Sequence, residues 1–295
     1  MAEIIDGKKV AAEIRQEVKQ GVDELKARGV TPGLAVVLVG DNPASAVYVR
    51  MKAKACEEVG IYSRVIRMPQ EASQRELERV VDELNDDEAI HGMLVQLPLP
   101  PQIEEKPITW RISPEKDADG FHPMNVGRMM IGDPEAFRPA TPAGVIELLM
   151  RSGHNPEGKR VTIVGRSNIV GRPLCVLLSQ KMKGGNATVT LAHSRTPELP
   201  AVLREADILV AAIGVPEFVK ADSVKPGAVV IDVGVNRVDD PSTEKGYRLV
   251  GDVAFDEVSK VAAAITPVPG GVGPMTIAML LSNCMAATRR ITGIS

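Results

Sequence analysis

The stretch Leu34-Ala35-Val36-Val37-Leu38-Val39 contains no polar residue. A strand with one face in water alternates apolar and polar side chains, so an unbroken run of this length reads as a strand covered on both faces. Sheets of that kind are built from parallel strands joined by helices, which makes this an α/β chain. The flanking segments agree. Val10, Ile14, Val18, Val22 and Leu25 recur at helical spacing and predict a helix over residues 8–28. Pro32-Gly33 punctuates the chain before the apolar run, and Gly40-Asp41-Asn42-Pro43 forms a loop after it. A helix over 45–59, a strand over 62–66, a helix over 73–84 and the strand Gly92-Met93-Leu94-Val95 extend the pattern to a three-strand parallel layer.

Between residues 97 and 142 the texture changes to proline-rich turns, which suit loops around a site and a crossing between domains. A helix over 141–151 leads into a second βαβ series. Its strands are expected at 160–164, 187–191, 208–212 and 228–233, forming a Rossmann-like unit. A final helix over 273–291 is expected to pack back on the first domain. The expected fold is therefore two-domain α/β, with a cleft between the domains. Residues 1–140, completed by 273–295, form a catalytic domain, and residues 141–272 form a Rossmann-like NADP-binding domain.

Bulk properties narrow the function. At 295 residues and 44% hydrophobic, the chain can bury two cores. Its 35 basic and 38 acidic residues give a net charge of -3, with no electrostatic reason to expect nucleic acid or an anionic membrane as partner. Cys56, Cys175 and Cys284 are far apart and read as reduced, packed thiols. His91, His122, His154 and His193 lack ligand spacing, so no metal is expected. The N-terminus lacks the apolar core of a signal peptide and no later run approaches a membrane span, which points to a cytoplasmic protein acting on a small molecule.

The strand ending at Val164 runs into Gly165-Arg166-Ser167-Asn168-Ile169-Val170-Gly171-Arg172-Pro173 and then a helix. In that context backbone amides and a helix N-terminus can hold a pyrophosphate, although Ser167 stands where the usual fingerprint has its middle glycine. An NAD site carries an acid at the end of the next strand; here stand His193-Ser194-Arg195. Ser194, Arg195 and Arg166 can donate to a 2′-phosphate that a carboxylate would repel, so NADP is the expected cofactor.

In the first domain Tyr48 and Lys52 lie one helical turn apart on the same face. The usual reading of such a pair is a surface contact between a ring and a lysine stem. The strand end Val95-Gln96-Leu97-Pro98 adds a polar group at the carboxyl edge of a parallel sheet, where open α/β sheets bind ligands. Lys116-Asp117-Ala118-Asp119-Gly120 adds carboxylates, and Pro267-Val268-Pro269-Gly270-Gly271-Val272-Gly273-Pro274 is a small-residue loop suited to close approach of a flat ligand.

Taken with the 43–52 segment, Val95 to Pro100, Lys116 to Pro123, the 165–173 turn, His193-Ser194-Arg195-Thr196 and the 267–276 loop, the chain resembles the bifunctional methylenetetrahydrofolate dehydrogenase / methenyltetrahydrofolate cyclohydrolase family nearly end to end. Met51, Ala118 and Ala140 depart from residues usual in that family. The resemblance implies NADP-dependent oxidation of methylenetetrahydrofolate and hydrolysis of the methenyl product in one-carbon metabolism, with purine biosynthesis among its consumers, by a homodimer. It implies that Lys52 is the catalytic lysine, that Tyr48 and Gln96 are its neighbours and that Asp119 anchors the pterin. The substrate would also touch Val95, Leu97, Pro269, Gly270 and Gly271, and the dinucleotide Gly165, Arg166, Ser167, Ser194 and Val235. A different two-domain NADP dehydrogenase shares the Rossmann signals, but Tyr48, Lys52, Gln96 and Asp119 favour a folate. A non-catalytic nucleotide-binding regulator has no use for a lysine and carboxylate in a separate domain.

Overall fold

In the computed structural model a short strand, β1 (Glu3–Ile4), leads into the first predicted helix, α1 (Gly7–Ala27). Its apolar stripe of Val10, Ile14, Val18, Val22 and Leu25 is buried throughout. The structure describes residues 1–243 and 246–294; Glu244, Lys245 and Ser295, which fall within the predicted domain ranges, lie outside the described residues. Two units are distinguishable, one comprising Met1–Ala11 and Thr141–Thr276, the other Ala12–Ala140 and Ile277–Ser295.

The second of these is built on the apolar run. All seven residues of β2 (Gly33–Val39) are buried, as a centre strand covered on both faces requires. Helix α2 (Pro43–Val59) follows, started by the Asn42 side chain, which accepts from the Ala44 and Ser45 amides at 3.0 and 3.1 Å. Gly60, at φ 83°, closes it in the left-handed conformation. Strand β3 (Tyr62–Met68), helix α3 (Gln74–Asp86) and strand β4 (Gly92–Val95) complete the layer, ordered β3-β2-β4 and parallel throughout. A capping box between Ser73 and Glu76 starts α3.

The proline-rich stretch also holds two helices that the sequence reads as turns, α4 (Glu105–Arg111) and α5 (Pro123–Met130). Each is only about two turns long, too short for a helical period to emerge. Lys116 ties this stretch to the layer by donating to the Leu84, Asn85 and Asp87 carbonyls at the end of α3. Its backbone then runs beside β4, with Met93 N donating to Lys116 O at 2.7 Å and Asp117 bridging Met93 in parallel.

The other unit takes in β1 and, after residue 140, runs through α6 (Ala140–Arg151), β5 (Arg160–Val164), α7 (Gly171–Ser179), β6 (Thr188–Ala192), α8 (Leu199–Arg204), β7 (Ile208–Ala211) and β8 (Val229–Asp232). An antiparallel hairpin, β9 (Asn236–Asp239) with β10 (Tyr247–Val250), precedes α9 (Phe255–Val258) and β11 (Ala264–Ile265). The sheet is six-stranded and parallel in the order β1-β11-β8-β7-β5-β6, so the N-terminal strand β1 forms its edge. Strand order reverses about β5: the chain goes to β6 on one side and returns to β7 on the other. The crevice outside the carboxyl ends of β5 and β7 is the switch point at which such sheets bind ligands.

The last helix, α10 (Val272–Thr292), starts in this unit and continues in the first-described layer. There Asn283 donates to Ala118 O at 2.9 Å, and the Cys284 thiol donates to Gly33 O at 3.5 Å. Among the described residues no helix is long and apolar enough to cross a membrane.

Candidate functional site

On α2 the buried residues are Ser45, Val49, Lys52, Ala55, Cys56 and Val59, so Lys52 occupies a position where helical periodicity calls for an apolar side chain. It is only 7% exposed. A buried ammonium needs partners, and Lys52 Nζ donates to Gln96 Oε1 at 3.0 Å. Gln96, just past the end of β4, is itself held by donating from Nε2 to Leu97 O at 2.9 Å. Burial pushes the Lys52 amine below its ordinary value, while the neighbouring Asp119 carboxylate and the Cys56 thiol act against the shift.

Asp119 reaches this place through the backbone pairing of residues 116–118 with β4. Two residues beyond the Asp117–Met93 bridge, it comes level with the carboxyl end of that strand. Enclosure by protein atoms pushes its carboxyl up even though one edge stays partly exposed; the Lys52 ammonium pulls it down and Asp117 pushes it up. Lys52 and Asp119 therefore resist ionisation by burial and favour it in each other. Perturbed, mutually coupled groups of this kind cluster at functional sites.

Asp117 serves a different purpose. It is 2% exposed and accepts from the Gly120, Phe121 and His122 amides and from Asn125 Nδ2, at 2.8 to 3.2 Å. It shapes the turn that presents Asp119. Asp117→Ala strips these donors of their acceptor in a buried setting and should cost on the order of 3 kcal/mol or more, read as a lower midpoint in thermal unfolding.

Tyr48, one turn before Lys52, is 39% exposed. Val95 is buried, Leu97 half-buried, and Leu97 O also receives the Ser45 hydroxyl at 3.5 Å. Lys52, Gln96, Asp119, Val95 and Leu97 thus gather at one edge of one unit. Pro269, Gly270 and Gly271 belong to the other unit, where the loop closes by Gly271 N donating to Pro267 O at 2.8 Å.

The second cluster surrounds the exit of β5. Gly165 has φ 126°, and a Cβ there would lie 1.9 Å from Ala212 O, just past β7. A Cβ on Gly171 would lie 1.9 Å from Gly165 O. Both glycines are required to let the turn fold against the sheet and into α7. Ser167 Oγ accepts from the Val170 and Gly171 amides at 3.1 and 3.4 Å. The amides of Arg166, Ser167, Asn168 and Ile169 find no acceptor among the described residues, and these residues are exposed. Four free amides ahead of a helix N-terminus fit a pyrophosphate. Ser194 and Arg195 are exposed just past β6, in a tight turn where Arg195 N donates to His193 Nδ1 at 3.1 Å. Val235, just past β8, is 46% exposed.

Residues 5–119 match the family described as "Tetrahydrofolate dehydrogenase/cyclohydrolase, catalytic domain", and residues 139–292 its "NAD(P)-binding domain". The chain belongs to the tetrahydrofolate dehydrogenase/cyclohydrolase family. It is 57% identical over 289 residues to the "Bifunctional protein FolD" of Moorella thermoacetica, covering 98% of this chain and 99% of the relative. It is also similar to the solved bifunctional methylenetetrahydrofolate dehydrogenase/cyclohydrolase of Campylobacter jejuni, at 46% identity and TM-score 0.92 over 99% of this chain and 100% of that one. The Trypanosoma brucei methylenetetrahydrofolate dehydrogenase-cyclohydrolase, solved with NADP cofactor and an inhibitor, is 44% identical with TM-score 0.93, covering 99% of this chain and 98% of that one.

Within this family's two matched regions, the Lys52 cluster falls in the catalytic domain and the Gly165 turn in the NAD(P)-binding domain. Sequence reasoning missed two buried acids of the latter. Asp232 ends β8 and is 3% exposed; Asp252 follows β10 and is fully buried. The available signal was an acid flanked by small or apolar residues, in Ile231-Asp232-Val233-Gly234 and Gly251-Asp252-Val253. Among the described residues no group of His, Cys, Asp and Glu could hold a metal ion.

Proposed function

We propose that Lys52 is the proton-transfer group of the cyclohydrolase reaction, in an enzyme that oxidises methylenetetrahydrofolate with NADP and hydrolyses the methenyl product to formyltetrahydrofolate. The observation that carries this reading is the 3.0 Å hydrogen bond to Gln96 from a lysine buried on a helix stripe otherwise made of small and apolar residues and one serine. NADP, when bound, accepts the hydride. The free amides of Arg166 through Ile169 would hold its pyrophosphate, Ser194 and Arg195 its 2′-phosphate, and Val235 would line its site.

Hydrolysis adds water to the methenyl carbon. The neutral amine of Lys52 takes a proton from that water as the carbon–oxygen bond forms and returns it to the ring nitrogen as the carbon–nitrogen bond opens. The remaining hydroxyl proton leaves to solvent as the formyl carbonyl forms, the net proton released from the cationic substrate. Gln96 orients the amine through its side-chain oxygen. Asp119, level with the strand end, anchors the pterin, while Tyr48, Val95 and Leu97 form the wall against which the folate lies. Pro269, Gly270 and Gly271 form, within their own unit, a small-residue loop suited to close approach of a flat ligand. In this reading residues 1–140 with the C-terminal helix bind folate and residues 141–272 bind NADP. The same family membership supports a homodimer in the cytoplasm, feeding formyl groups to purine biosynthesis.

The test is the pH dependence of methenyl hydrolysis, corrected for the uncatalysed rate. Only the neutral amine accepts a proton, so the enzymatic rate should rise with pH through the Lys52 pKa and level off above it. Burial lowers that pKa, so the limb should lie below the ordinary lysine value of 10.5. Lys52→Arg, which stays charged, should remove the limb. A limb that persists in the arginine variant would assign the proton transfer elsewhere.

A further inference from the structure

We infer that Asp252 is a positioning residue for the dinucleotide: its buried carboxylate holds the exit of β7 against the pyrophosphate turn. The inference rests on the reading that this unit binds NADP.

The Gly165 turn leans directly on β7, since Ala212 O occupies the space a side chain at 165 would need. Ala212 is tied to β5 by donating to Val164 O at 2.8 Å. The next two residues, Ile213 and Gly214, leave the sheet with no strand partner for their amides. Asp252 Oδ2 takes both, at 2.7 and 2.8 Å. Its other oxygen accepts from Asn236 Nδ2 at 2.8 Å, on the segment that carries Val235. A Cβ on Gly234 would lie 2.2 Å from that same oxygen, so the β8 exit is packed against the carboxylate. One side chain thus joins the loops after β7 and β8, both at the switch point of the sheet.

Asp252 is in turn held by Asp232, whose Oδ1 accepts from the Asp252 and Gly234 amides at 2.9 and 3.0 Å and whose Oδ2 accepts from Val253 N at 2.9 Å. A Cβ on Gly251 would lie 1.8 Å from Asp232 Oδ2. Both acids are buried, at 3% and 0% exposed, and each carboxylate is held chiefly by backbone amides. The Lys52 cluster belongs to the other unit. Hydrolysis of the methenyl compound needs no dinucleotide, so it reports whether the rest of the enzyme is intact.

The experiment compares wild type, Asp252→Ala and Asn236→Ala by calorimetric titration with NADP, by amide hydrogen exchange without ligand, and by methenyl hydrolysis. In Asp252→Ala the Kd for NADP should rise at least tenfold and the Ile213 and Gly214 amides should lose protection, with hydrolysis within twofold of wild type. Asn236→Ala, which frees one oxygen and leaves the carboxylate in place, should raise the Kd about threefold. A wild-type protein that does not bind NADP would overturn the underlying reading and this inference with it. Wild-type binding with an Asp252→Ala Kd within twofold would overturn the inference alone. Should Asp252→Ala also lose hydrolysis through misfolding, Asn236→Ala decides, and an unchanged Kd there contradicts the role.

Discussion

Replacing Lys52 by alanine should lower methenyl hydrolysis by about 10²- to 10⁴-fold, the range typical of a lost general acid–base group, and leave the affinity for NADP unchanged. The truncation removes the only side chain that donates to Gln96 Oε1 among the described residues and the ammonium that favours ionisation of Asp119. Gln96 keeps its own bond to Leu97 O, so the strand end stays in place while the proton acceptor is gone. The position tolerates an apolar side chain, since its helix stripe is otherwise packed, and the fold should survive. Calorimetric titration with NADP beside the hydrolysis assay separates the outcomes. Loss of both would mean that Lys52 supports the whole molecule instead of one step.

The mirror-image result is expected at Gly165. Alanine there would place a Cβ 1.9 Å from Ala212 O at a backbone φ of 126°, which side-chain-bearing residues rarely adopt. Either the turn or the β7 exit must shift, at about 1–3 kcal/mol for overpacking. The segment that carries the four free amides of residues 166–169 would then be displaced, and the Kd for NADP should rise by about 100-fold or more, the equivalent of roughly 2.8 kcal/mol at about 1.4 kcal/mol per tenfold. Hydrolysis should stay within a few-fold of wild type. Together the two variants form a double dissociation: one loses chemistry and keeps the dinucleotide, the other does the reverse.

The parts of this account that were legible in the sequence are those with a local signal. The unbroken apolar run of β2 announced a doubly covered strand, and all its residues are buried. Val95-Gln96-Leu97 set a polar side chain at a strand end, and Gly165 to Pro173 set a turn between a strand and a helix. What stayed hidden depends on contacts distant in the chain. Asp117 and Asp119 sit in one short motif, yet one shapes the turn and the other neighbours Lys52, a division made by backbone pairing with Met93. Asp252 meets Ile213 and Gly214 across 39 and 38 residues, for which no spacing rule exists. Strands β1 and β11 are two residues each, below the length at which alternation can be read.

The central claim, that one chain carries both activities, is tested most directly by supplying purified protein with methylenetetrahydrofolate and NADP while following NADPH and methenyl absorbance together, then adding the methenyl compound without NADP. The account predicts NADPH formation with hydrolysis of the methenyl product, and hydrolysis of the added compound in the absence of NADP. NADPH formation with a methenyl product that accumulates, and an added methenyl compound no less stable than in buffer, would contradict it.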